Sequence, residues 1–114
     1  MNKMEALSII EYYYENGLRL QDEPAYLEAL EYLSIKEQND DAMIELGGYY
    51  YDNKDFDSAV FWYEEAVKVS SGQNQTANSN LGYIWYYGRT GTTDYEKAYF
   101  NLISLVNKVT LQQN

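Results

Sequence analysis

The sequence predicts an all-α protein, a right-handed α-solenoid of three helix-turn-helix repeats, on three observations: a recurring motif, apolar residues at helical spacing, and no strand-like alternation. The recurrence is Ala42-x3-Leu46-Gly47 and Ala77-x3-Leu81-Gly82, a spacing of 81 minus 46, or 35 residues. A period of that size belongs to stacked helical hairpins, each of which buries its apolar face against its neighbours. Apolar and polar residues nowhere alternate with period two over a strand's length between turn signals.

The elements follow in chain order. Tyr12-Tyr13-Tyr14 marks a first helix, because similar aromatic runs, Tyr49-Tyr50-Tyr51 and Trp85-Tyr86-Tyr87, follow the two motif copies. Gly17, just past that pattern, suits the left-handed residue that ends a helix. Pro24, behind Asp22 and Glu23, fits the first turn of a second helix, whose buried face is Tyr26, Ala29, Leu30 and Leu33. Asp40 and Asp41 supply acceptors for the free amides at the start of the third, and Asp55 does so for the fourth. The fourth has the clearest stripe, with Phe56, Ala59, Val60, Tyr63, Ala66 and Val67 on one side of a 3.6-residue helix, and Gly72 beyond it. The fifth carries the second motif copy and stops at Gly88. Thr93-Asp94-Tyr95-Glu96 has the form of a capping box and opens the sixth, with Tyr95, Ala98, Tyr99, Leu102, Val106 and Val109 as its buried face. The result is one domain, residues 1–114, in three units at about 4–38, 40–72 and 76–109, within the size range of a single core.

The middle unit carries a resemblance. Leu46-Gly47-x2-Tyr50-x8-Ala59-x3-Tyr63-x2-Ala66 resembles the tetratricopeptide pattern at all six of its main positions. Small residues at 47, 59 and 66 let two antiparallel helices approach, and the large ones fill the space around that contact. Two stretches are more similar to Sel1-like repeats: Ala59-x2-Trp62-Tyr63-x2-Ala66, and the glycine-bearing link from Tyr87-Gly88-Arg89 to Lys97-Ala98. The first unit departs, with Ile9-Ile10 in place of Leu-Gly, and the third has Leu102 and Leu105 where the second has Tyr63 and Ala66. The resemblance implies an adaptor or scaffold whose first helices line a concave surface that holds a peptide or a partner helix. It places the exposed positions two before, two after and five after the motif leucine. Those are Ile44, Gly48 and Tyr51 in the second unit and Ser79, Tyr83 and Tyr86 in the third, joined by Tyr14 if the aromatic runs align by their last members. Tyr50 and Trp85, four after that leucine, are expected in the core. The same tyrosines also suit ordinary half-buried packing between repeats, since a Tyr ring packs while its hydroxyl stays wet.

Composition excludes other classes. With 8 Lys and Arg against 18 Asp and Glu the net charge is −10, which opposes nucleic acid and anionic membranes as partners. Residues 1–38 and 39–72 hold eight acids each, and residues 73–114 hold two. No Cys and no His are present, so thiolate chemistry, disulfides and the commonest general base are absent, and no cofactor or metal is expected. The carboxylate pairs Asp40-Asp41 and Glu64-Glu65 are sequence neighbours, which point about 100° apart on a helix and do not converge on one atom. No enzyme is expected. Acidic Glu5, Glu11 and Glu15 interrupt any leader-like apolar core, and a cytoplasmic chain is the expectation. Residues 99–109 are apolar around more than one stripe, which leaves Phe100, Ile103 and Leu111 uncovered. They mark either a homodimer interface or the point where a longer repeat array continues.

Overall fold

A computed structural model describes residues 1–17 and 24–113, with side chains described as far as Val106 in the last helix. Among the described residues there are six helices and no strand: α1 (Lys3–Glu15), α2 (Pro24–Lys36), α3 (Asp40–Asp52), α4 (Phe56–Val69), α5 (Gln75–Tyr87) and α6 (Tyr95–Gln113). Packing runs between helices consecutive in the chain and is densest within α1–α2, α3–α4 and α5–α6. No described helix is long and apolar enough to cross a membrane.

The buried faces of α2 and α4 are those the spacing predicts: Tyr26, Ala29, Leu30 and Leu33 in one, and Ala59, Val60, Tyr63 and Ala66 in the other. They build two clusters. The first joins α1, α2 and α3 through Ala6, Tyr26, Ala29, Leu30, Leu33, Ala42 and Leu46. The second joins α3, α4 and α5 around Met43, Tyr63, Ala77, Leu81 and Ile84. Tyr50 and Trp62 pack against both and tie them together. Tyr50 and Trp85 are half-buried at the edges of these clusters and not in their interior.

Helix starts differ from expectation in two places. The cap of α3 is Asn39, whose side chain accepts from the Ala42 amide at 3.0 Å, and Asp40 and Asp41 lie inside the first turn. The cap of α6 is Asp94, which accepts from the Lys97 amide at 3.0 Å, one residue after the Thr93 of the capping box. Asp94 is placed there by its own amide, which donates to the Trp85 carbonyl at 2.9 Å and folds the link back onto α5. Asp22 and Glu23, expected ahead of α2, lie outside the described residues.

The largest correction concerns α6. Tyr95, Tyr99 and Val106 are exposed, and the buried positions are Ala98 and Asn101. The side chain of Val109 lies outside the described residues. Asn101 can be buried because its Nδ2 donates to Asn78 Oδ1 at 3.2 Å, and the Asn78 amide in turn donates to the carbonyls of Gly72 and Asn74. A satisfied polar side chain is compatible with a core, and a count of apolar positions passes over it.

Candidate protein-binding surfaces

The three first helices share one register, set by asparagine. Asn2, Asn39 and Asn74 cap α1, α3 and α5, each accepting from the amide three residues on, and each helix is 13 residues long. Counted from these caps, Tyr14, Tyr51 and Tyr86 occupy one equivalent position, and Ile9-Ile10 stand where the other helices have Leu-Gly. The repeated Asn was a signal in the sequence that the leucine motif overshadowed.

Equivalent positions do not have equivalent surroundings. Tyr14 is 79% exposed. Tyr51 and Ile44 are half-buried against the α3–α4–α5 cluster, and the Tyr51 ring meets Phe56 edge-on at 5.2 Å. Gly48 is half-buried too, with the Tyr63 hydroxyl 3.9 Å from where its Cβ would stand. Ser79 lines a shallow recess with Gln75, Thr76, Asn80 and Leu105. Tyr83 and Tyr86 are 56% and 51% exposed. Those two belong to a ring cluster: Tyr83 stacks on Tyr87 at 6.2 Å, and Tyr86 meets Tyr87 at 5.0 Å and Tyr95 at 5.5 Å. Tyr87 and Tyr95 were missed, the second because the sequence places it on a buried face. The predicted set is thus divided: Tyr83 and Tyr86 lie together on an open surface, while Ile44 and Tyr51 serve the core.

Beneath this layer sits Tyr63, whose ring crosses α3 at Gly47. Burial pushes its hydroxyl pKa up to about 12, against the opposing effect of a hydrogen bond with Asn80 and with Asp52 adding to the rise. Tyr26 is also pushed up to about 12 by burial, then by the charge of Glu45, to which its hydroxyl donates at 3.4 Å. Both hydroxyls are neutral at ordinary pH.

A second surface lies on the other side of α5. Leu81 and Trp85 face a cleft of ≈ 410 Å³ whose walls are α4, with Glu64, Val67 and Lys68, and α6, with Glu96, Lys97, Phe100 and Asn101. The Lys97 ammonium stands 4.5 Å over the Trp85 ring, a cation–π contact. Of the three residues expected to be uncovered, Phe100 is exposed, at 69%. It lines this cleft, Ile103 is half-buried, and the side chain of Leu111 lies outside the described residues. The apolar side chains that α6 does expose are Tyr95, Tyr99, Phe100, Leu102 and Val106.

Among the described residues no group of three or more His, Cys, Asp or Glu could hold a metal ion. What both surfaces offer is aromatic area with hydroxyls or charges at the margin. Comparison with family models, curated proteins and solved structures finds no match to this chain.

Proposed function

We propose that the chain is a non-enzymatic protein-interaction module, built as a right-handed solenoid of three Sel1-like or tetratricopeptide-like hairpins, which holds a peptide or a partner helix on the face of its first helices. The observation that carries the reading is the open ring cluster of Tyr83, Tyr86, Tyr87 and Tyr95. Large, rigid, amphipathic rings give contact area at small rotamer cost, which is why tyrosine dominates many binding faces. The repeat reading is supported by the shared Asn register of α1, α3 and α5 and by matched close contacts, Gly47 under Tyr63 and Gly82 under Leu102. Tyr83→Ala with Tyr86→Ala tests it, because both side chains are exposed and the fold should survive their loss. Quantitative affinity capture should lose the same specific proteins that the parent chain retains, with helical content unchanged. Identical captures by both would overturn it.

A second reading, self-association, is favoured by one observation: α6 exposes Tyr99, Leu102 and Val106 within two turns. Sedimentation of the parent and of Tyr99→Glu with Val106→Glu, across a wide concentration range, separates the two. A parent that stays monomeric at the highest soluble concentration excludes the dimer.

A further inference from the structure

The cleft between α4, α5 and α6 has a counterpart one repeat earlier, where a tryptophan packs. Three packing relations align the repeats. Gly47 lies under Tyr63 as Gly82 lies under Leu102; Tyr51 meets Phe56 as Tyr86 meets Tyr95; Ala59 and Ala98 are both buried. In the second helices these relations give 102 minus 63, 95 minus 56 and 98 minus 59, each 39 residues. The residue equivalent to Trp62 is therefore Asn101. Trp62 packs against the α1–α2–α3 cluster, as Tyr50 does. Asn101 instead turns to Asn78 and leaves the space beside Trp85, the residue equivalent to Tyr50, as the ≈ 410 Å³ cleft. The apolar surroundings of an indole are still present in Leu81, Val67, Trp85 and Phe100.

We propose that this cleft receives an aromatic side chain, the size of an indole, from a partner peptide. The ring is assigned because the fold puts an indole at the same place one repeat earlier. Glu64 and Lys68 on the α4 wall and Glu96 and Lys97 on the α6 wall balance in formal charge, so the cleft selects for the ring and not for the charge beside it. Of the two lysines, Lys97 covers the Trp85 ring and Lys68 lies in the last turn of α4, where the helix dipole favours a cation. A cleft of this volume falls in the range of about 300–1,000 Å³ typical of ligand sites. It lies about 200° around α5 from Tyr83, so it shares with the function proposed above only the premise that the chain binds a polypeptide.

The test is a titration of the isotope-labelled full chain with capped Gly-Trp-Gly peptide, with Gly-Leu-Gly as the control. The chain has 2 Trp, so the two indole N–H signals report the two grooves separately. The expected result is a saturable shift of Trp85 and none of Trp62, with the control weaker by about tenfold or more. Asn101→Trp, which refills the cleft from within, should abolish the response, and Phe100→Ala, at an exposed rim, should weaken it by about tenfold. Tyr83→Ala with Tyr86→Ala should leave it unchanged, so failure of either site is visible apart from the other. No saturable Trp85 shift, equal binding of Gly-Leu-Gly, or an unaltered response in Phe100→Ala would overturn the site.

Discussion

A methyl group on Gly47 would stand 2.5 to 2.8 Å from three carbons of the Tyr63 ring, which is buried and held by the α3–α4–α5 cluster. On Gly82 the neighbour at 2.6 Å is Leu102, a flexible side chain at the solvent boundary. Replacing a helical glycine by alanine gains about 1 kcal/mol in propensity, while overpacking a fixed neighbour costs about 1–3 kcal/mol. Gly47→Ala should therefore lower the urea midpoint, and Gly82→Ala should leave it unchanged or raise it; equal effects would show that Tyr63 yields as easily as Leu102. Ser34 is the opposite case, a buried hydroxyl without a hydrogen-bond partner among the described residues. Ser34→Ala removes a desolvated polar group and should stabilise by about 0.5–1 kcal/mol. The two buried tyrosines set an alkaline limit. Their folded pKa of about 12 lies above the ordinary 10.0, so their stabilisation is complete below pH 10 and is lost as pH rises towards 12. Absorbance titration should show Tyr26 and Tyr63 ionising after the exposed tyrosines, with loss of helix over the same interval.

At the scale of the element, caps decide where each helix begins. Asn39 and Asn74 each satisfy one amide of a first turn, but Asn74 also donates through Nδ2 to Asp40 Oδ2 at 2.9 Å, across to the preceding unit. Replacing an Asn cap by alanine costs about 0.5–2 kcal/mol. Asn74→Ala should exceed Asn39→Ala, and combined with Asp40→Ala it should be less than additive by about 0.5 kcal/mol or more. Full additivity would mean the cross-unit hydrogen bond contributes nothing. Asp94→Ala should cost about 1 kcal/mol and Thr93→Ser far less, because the carboxylate of Asp94 and not the hydroxyl of Thr93 meets the α6 amides. The link between α5 and α6 needs Gly88 at φ +66, a left-handed conformation that ends α5, and its amide returns to the Ile84 carbonyl.

The whole molecule is a chain of neighbours: each helix packs chiefly on those before and after it, and both core clusters are shared between successive hairpins. Stability in such an arrangement is a sum of local terms and graded along the chain. Hydrogen exchange should be slowest at amides of α3, α4 and the Leu81 turn of α5, which have partners on both sides, and fastest in α1 and the far end of α6. Uniform protection across all six helices would mean that the hairpins unfold as one unit.

The sequence by itself determined the helical class, the three pairs, the 35-residue step and the buried faces of α2 and α4, because these depend on spacing within one helix or on a repeated motif. It could not separate Tyr51 from Tyr86, which share a register position yet differ in exposure, because exposure depends on what else packs nearby. Nor could it show Asn101 in the core. A carboxamide counts as polar along the chain, and only the approach of Asn78 from α5 supplies the hydrogen bond that lets it be buried. The open cleft follows from that pairing: where α4 has an indole, α6 has a residue engaged with its own hairpin partner, and the space left between three helices belongs to none of them alone.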